Sequence, residues 1–409
     1  MSSSICVTSE VGNLKSVLLH RPGRELESLT PQYLDSMLFE DIPFLTQMQS
    51  EHDLFAALLR EQGCTVFYIE TLLEEVFKDK EERKRAVAYL VDASQIFSPS
   101  LKLIIEEHLL RSNAKQLVSY CIAGLLKTEI DDKVKQKSLS YYIRDTFPYY
   151  IPPLPNLYFT RDPATVVGGG VAINVMKTES RRRENWLLSL IARHHQLFAS
   201  ARIHQDYTSR NSIEGGDILM LNDRCVICGC SARTDSWAIE SFANRMLSPI
   251  ERGGEGLETV LVIQIPYTRA YMHLDTVFTM VDRDAFCMFP AIGSAVKVFS
   301  MKQGKNDTLD IHAEPSLKQA LKKALQVPAV NIINSGGDDA IASAREQWND
   351  STNTLAIAPK KVITYCRNVV SNEVLANNGI EVLPIKGSEL VRGRGGPRCM
   401  SMPLLREKL

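Results

Sequence analysis

Short apolar runs bounded by turn residues recur along most of this chain. LKSVLLHRPG (14–23), CTVFYIE (64–70), RCVICGCS (224–231), LVIQIPY (261–267) and KKVITYCRN (360–368) each read as a strand. Stretches with apolar residues at helical spacing alternate with them. RTDSWAIESFANRM (233–246) and VSNEVLANNGI (370–380) are two of these, and the second meets a helix-stopping glycine at Gly379. One segment breaks the alternation. Between Gly63 and Pro148 there is a single glycine, Gly124, and a single proline, Pro99. DKEERKRAVAYLVDAS (79–94) and SPSLKLIIEEHLLRSNAKQLVSYCIAGLLK (98–127) carry helical periodicity there, with Ser98 or Ser100 as the cap of the second. Residues 75–148 are therefore expected to form a helical subdomain. Its charge run KDKEERKR (78–85) reads as a solvated first helix, with a docking surface as the alternative.

A weak repeat runs through the strand-bearing part. Asp162 in FTRD, Asp217 in EGGD, Asp275 in MHLD and Asp338 in SGGD each precede a strand-like stretch, 55, 58 and 63 residues apart (217−162, 275−217, 338−275). With residues 1 to about 70 as one more unit, the spacing suggests five similar βα modules closed into a ring. Coincidence among common turn motifs accounts for the spacing equally well.

Composition narrows the classes. The chain has 409 residues and is 44% apolar, enough for one large domain or two ordinary ones. Lys plus Arg is 47 and Asp plus Glu 48, a balance that argues against nucleic acid or an anionic membrane as the main partner. No run approaches the ~18 apolar residues of a membrane helix, and the start lacks the pattern of a secretory signal. Nine scattered cysteines, an odd number, suit reduced thiols in a cytoplasmic protein.

Several short stretches carry chemistry. In YMHLDTVFTM (271–280), His273 and Asp275 would share one face of a strand and form an acid–base pair or clamp a cation. For an isolated pair, a buried histidine held by a neighbour is the commoner outcome. Glu214 and Asp217 flank a glycine pair, and Asp162 ends an aromatic strand; each alone is equally an ordinary turn residue. Cys399 follows three glycines and sits among Arg394 and Arg398, which would favour the thiolate while the glycines let the backbone bend around a substrate. Such a loop is a poor place to bury an inert cysteine. Cys225, Cys228 and Cys230 hint at a metal, but no second pair is near and alternate strand residues face opposite ways, so no metal site is expected. No phosphate loop and no dinucleotide fingerprint is present, and no cofactor is expected. A thiol, an imidazole and several carboxylates suit covalent attack on a small cationic electrophile.

The motifs PNLYFTRDP (155–163), IEGGD (213–217), SARTD (231–235), MHLDTVFTM (272–280), REQWND (345–350) and SELVRGRGGPRCMSMP (388–403), with LLHRPGREL and LFEDIPF near the N-terminus, resemble those of the arginine deiminases in order and over nearly the whole chain. The resemblance implies an α/β fold: a five-bladed α/β-propeller of ββαβ modules with pseudo-fivefold symmetry and an inserted helical subdomain. On that reading 1–74 and 149–409 form the catalytic domain and 75–148 the insert. It implies hydrolysis of L-arginine to L-citrulline and ammonia without metal or cofactor, in a cytoplasmic homo-oligomer. By motif match, Cys399 is the nucleophile and His273 the general acid/base. Asp162 and Asp275 grip the guanidinium, and Glu214 supports them. Asn156, Arg181, Arg233 and Arg394 match positions for the α-carboxylate or for gating, and Phe159 and Leu38 are apolar walls. Segments near 30–44 and 390–398 are candidates for a closing loop. Two departures stand outside this set: Ala164 in place of a bulky residue after Pro163, and Asn334–Ser335 before the second Gly-Gly-Asp. The rivals are an agmatine, peptidyl-arginine or methylarginine deiminase, an amidinotransferase, or a non-catalytic arginine-binding protein on the same scaffold. A thiol protease is disfavoured by the acids around the thiol.

Overall fold

Five short sheets share one connection in the computed structural model, which describes residues 4–94, 96, 98–130 and 147–409. An antiparallel pair of strands comes first. A crossover that includes a helix follows, and a third strand returns parallel to the second, since parallel neighbours need a long connection. Four units lie along the chain: Ala164–Val167, Gly170–Ile173 and Arg202–Gln205; Ile218–Asn222, Cys225–Cys230 and Thr259–Gln264; Phe278–Asp282, Ala285–Met288 and Asn331–Asn334; Leu355–Ala358, Lys361–Tyr365 and Glu381–Ile385. The fifth joins both ends of the chain. Met402–Arg406 pairs antiparallel with Leu14–Leu19, and Thr65–Tyr68 runs parallel to Leu14–Leu19. The N-terminal unit is thus not complete within 1–70; it borrows its outer strand from the C-terminus. In the third unit the crossover also carries Lys297–Gln303 and Leu309–Glu314, which extend the second sheet to five strands. The architecture is α/β, and no sheet among the described residues closes on itself.

The helix-rich stretch starts at Ile69–Val76 and continues with Lys80–Ala93, Pro99–Arg111 and Ala114–Ala123. Each later helix has a side-chain cap: Asp79, then Ser98 and not Ser100, then an Asn113–Gln116 capping box. Most of the charge run 78–85 is solvent-exposed, but Glu82 is buried. The apolar faces merge with the α/β body: Leu72, Leu90 and Leu117 share one core with Leu187 and Ile191, and Tyr89 stacks on Trp186 at 4.2 Å. The expected subdomain runs on into residues 131–146, which lie outside the described residues.

The repeat of aspartates holds at three of its four positions. Asp162, Asp217 and Asp275 each lead into an antiparallel pair. Asp338 does not; it is exposed and precedes the helix Ala340–Trp348, which Asp339 caps. Gly336 and Gly337 take φ of +75° and +64°, a turn that starts a helix here and not a strand. The group leading into the fourth pair is Asp350, 2% exposed, and Cys399 leads into the fifth. The departure at Ser335 is absorbed locally, since its hydroxyl bonds those of Ser371 (3.0 Å) and Ser351.

Away from the site, LLHRPGREL builds a buried ion network. His20 Nε2 lies 3.0 Å from Glu25 Oε1 and its Nδ1 2.8 Å from Glu70 Oε1. Burial would depress this imidazole, but Glu70 and Glu25 together lift it to about 10. Replacing His20 with glutamine leaves the buried Glu25 and the part-exposed Glu70 without their cation, and is expected to cost about 3 kcal/mol in urea denaturation, the low end for a buried pair. The sign of the pH dependence follows from the raised folded pKa. The wild type's extra stability is full below the free-imidazole range near 6.5 and is lost as pH rises through about 10. An equal stability gap between wild type and variant at pH 6 and pH 10 would contradict this.

Candidate active site

The turns that lead into the sheets deliver the reactive groups. Asp162 follows the 3-10 turn Pro155–Tyr158, and Glu214 precedes Gly215–Asp217. His273 and Asp275 were expected on one strand face. Instead His273 is extended just ahead of a 3-10 turn, Leu274–Thr276, that contains Asp275. Asp217 braces that turn: its Oδ1 accepts from Leu274 N and its Oδ2 from Ser231 Oγ, both at 2.7 Å. Burial pushes the Asp217 carboxyl up to about 7, against the charge of His273 and the donors that hold it.

Cys399 is 3% exposed, so the arginine- and glycine-rich loop is a buried one, contrary to expectation. The glycines serve packing. A Cβ on Gly395 would stand 2.3 Å from the Phe159 ring, and one on Gly396 would stand 2.6 Å from Asn353 O. Asn353 Oδ1 accepts from the backbone N of both Cys399 (2.9 Å) and Gly396 (3.1 Å), fixing the turn. The thiol donates to Asp275 Oδ2 at 3.6 Å. Burial, then Asp275, Asp162 and Asp350, hold its pKa well above the free-thiol value, and Arg398 opposes them without winning. Arg398 spends its charge elsewhere: it donates to Asp275 Oδ2 at 2.7 Å, Glu10 Oε2 at 3.1 Å and Ile218 O at 2.9 Å.

His273 Nε2 meets Glu214 Oε2 at 2.7 Å, and its Nδ1 lies 3.9 Å from Asp162 Oδ1. Burial alone would lower this imidazole, yet the charge of Asp162 and the hydrogen bond from Glu214 raise it to about 9. Burial also penalises the Glu214 carboxylate, but that same hydrogen bond and Arg233 bring it to about 2. At neutral pH the pair is therefore imidazolium and carboxylate, while the thiol keeps its proton.

Nine of the eleven candidate residues line one cavity of about 20 Å³, the size of a single water. Glu214 and Asp275 stand behind it, against His273 and Cys399. Asp162 Oδ1 and Asp275 Oδ1 are buried without a hydrogen-bond partner among the described residues. Arg181 holds the other oxygen of Asp162 at 2.7 Å and bonds Glu184 as well. Arg233 Nη1 and Arg394 Nε and Nη1 are also buried without partners. The segments expected to close the site meet over it: Asn156 Nδ2 donates to Met37 O at 2.6 Å, Glu40 N to Arg392 O at 3.3 Å, and Arg392 pairs with Asp41. Leu38 has φ +63° at the roof.

Atoms of Asp162, Glu214 and His273 lie within 4.8 Å of one another, close enough to share a cation. Glu214 and His273 already satisfy each other, and the oxygens left over suit the edge of a flat organic cation. On the strand Cys225–Cys230, Cys225 belongs to one core and Cys228 and Cys230 to another, so the three thiols do not converge.

The motif reading held Trp348 and Asp350 within REQWND without giving them a role, and it left out Asn353 and Glu10. Asp350 had a signal, since it precedes the strand pair of LAIAPKKVITY. Glu10 and Asn353 had none, because their contacts are made by segments far apart in the chain.

The α/β framework is similar to those of two solved structures. It matches the dimethylarginine dimethylaminohydrolase structure DDAH from Pseudomonas aeruginosa in complex with citrulline, with TM-score 0.51 and 16% identity over 95% of this chain and 99% of that one. It also matches the N-terminal domain of ArgZ, a cyanobacterial arginine dihydrolase bound to product, with TM-score 0.54 and 11% identity over 96% and 97%. Sequence narrows the class. The arginine deiminase profile matches residues 35–406. Over the full length of both chains this sequence is 46% identical to the arginine deiminase of Bacillus cytotoxicus and 43% to that of Latilactobacillus sakei. The chain belongs to the arginine deiminase family.

Proposed function

We propose that this protein hydrolyses L-arginine to L-citrulline and ammonia through a covalent amidino-cysteine intermediate. The observation that carries the proposal is the pair of buried carboxylate oxygens, Asp162 Oδ1 and Asp275 Oδ1, left without partners beside a thiol and an imidazolium. A guanidinium ion is protonated and planar, and fork-like bonds from two carboxylates fix its plane and bring its carbon to the sulfur. The bound cation also offsets the negative charges that keep the thiol protonated, so substrate favours the thiolate. As the cation enters, the thiol gives up its proton to water, and the sulfur attacks the guanidinium carbon. His273 gives its proton to the departing nitrogen, the C–N bond breaks and ammonia leaves. Neutral His273, held by Glu214, then takes a proton from water as the oxygen attacks the same carbon. The C–S bond breaks, the departing sulfur recovers a proton as the hydroxyl gives one up to become the carbonyl, and citrulline is freed.

The unpartnered nitrogens of Arg233 and Arg394 favour a substrate with an α-carboxylate over agmatine, which has none. The roof built from 33–44 and 389–394 disfavours a peptide. Citrulline assays with arginine and agmatine side by side test the reading, joined by mass spectrometry of enzyme quenched with arginine. Citrulline from arginine and an adduct on Cys399 are expected; a protein that forms neither is not this enzyme.

The repeated connection and the shared fifth unit support an arrangement of the five sheets as blades of a propeller. In it 1–74 and 149–409 form the catalytic domain and 75–148 an inserted helical subdomain. The reading carries with it a cytoplasmic homo-oligomer, the assembly being open to sedimentation analysis.

A further inference from the structure

The cavity at Cys399 has a much larger neighbour. A second cavity of about 660 Å³ opens outside it, lined by Trp348, Cys366, Arg367, Lys386 and Arg392 among others. Arg394 lines both, so its side chain is the partition between outer space and the thiol. Few bonds hold that partition. Its backbone takes φ +63°, uncommon for a residue with a side chain. One nitrogen, Nη2, donates to Ala270 O at a long 3.3 Å. The main contact is a face: the guanidinium carbon lies 3.6 Å from the centre of the Trp348 indole. Trp348 ends the helix Ala340–Trp348 and is 46% exposed, so it contributes little to any core. Gln347, one residue earlier, bonds the same Ala270 carbonyl at 2.9 Å and fixes the end of that helix against the 268–271 turn. Two residues later, the buried carboxyl of Asp350 has no hydrogen-bond partner among the described residues; burial pushes it up to about 7, and the Arg394 charge pulls against that rise.

Building on the arginine reading above, we propose that Trp348 is a positioning residue. Its indole face seats the Arg394 guanidinium across the passage to Cys399 and presents it to the carboxylate of the incoming amino acid. A cation over a half-exposed ring is a modest, reversible hold. It keeps the site shut in most molecules while letting a minority stand open. No group of Trp348 touches the reacting atoms, so its loss acts on access and substrate capture and leaves the chemical step alone.

The test compares Trp348→Leu and Trp348→Phe with the wild type. Iodoacetamide labelling of Cys399, followed by peptide mass spectrometry without substrate, is expected to be about two- to fivefold faster in the leucine variant, the Boltzmann equivalent of the lost contact. KM for arginine should rise by a similar factor of about two to five with kcat little changed, and phenylalanine should recover part of both. Because Trp348 is half exposed, the thermal midpoint should stay put. Unchanged labelling in a folded leucine variant overturns the proposal, as does a loss carried wholly by kcat. If the wild type makes no citrulline, the functional reading fails. The labelling comparison still decides whether Trp348 holds the door.

Discussion

Cys399→Ala is expected to make no citrulline and still bind arginine. Removing a covalent nucleophile takes away the whole reaction path, so kcat should fall by at least about 10⁴-fold, to the level of the assay blank. The grip on the cation is built from other groups. Asp162 Oδ1 and Asp275 Oδ1 remain in place, and Asp275 loses only a thiol donor at 3.6 Å. Asn353 still holds the turn through the backbone N of residue 399. Calorimetric titration of the variant should therefore give a dissociation constant within about tenfold of the wild type's KM, a factor that one lost contact of ~1.4 kcal/mol would account for. Citrulline from the alanine variant would remove sulfur from the mechanism. Loss of binding along with activity would mean that the thiol shapes the cavity more than it reacts in it.

The positions in the chain that could be read in advance share a physical cause. Strands such as Cys225–Cys230 and Lys361–Tyr365 are buried on both faces and read as apolar runs whatever surrounds them. Gly379 ends its helix at φ +75°, a local requirement that needs no tertiary knowledge. The five catalytic candidates were legible through motifs. Their electrical state was not. From the chain, Arg394 and Arg398 looked like partners of the thiol. Folded, Arg398 turns to Glu10 and Asp275, and Arg394 to Trp348. Proximity in sequence set the expectation, whereas burial and three carboxylates set the outcome. Asp338 was read as the fourth aspartate ahead of a strand for a related reason. Gly-Gly-Asp is a local pattern that fits either a helix start or a strand start, and only the packing of Asp350 under the site separates the two.

His273→Gln is expected to lower kcat by roughly 10²–10⁴-fold, the usual worth of a positioned proton donor and acceptor, with a smaller change in KM. The sharper prediction concerns pH. Departure of ammonia needs the imidazolium, and this imidazole is lifted to about 9 in the free enzyme against burial, by Asp162 and by its bond with Glu214. A group that must be protonated and whose pKa is raised works below that pKa, so kcat/KM for the wild type should decline as pH climbs past about 9. Loss of the thiol proton acts in the other direction, since more thiolate raises the rate, so a falling alkaline limb belongs to His273. Glu214→Gln separates the two further. It removes one of the charges that lift the imidazole and leaves at most a neutral hydrogen bond in its place, so the alkaline limb should move to lower pH, even as Asp162 keeps part of the shift. The profile is read as kcat/KM across pH 6 to 10 for both proteins. An alkaline limb that does not move in a folded, active Glu214→Gln would assign that limb to some other group and take from His273 its part as the acid.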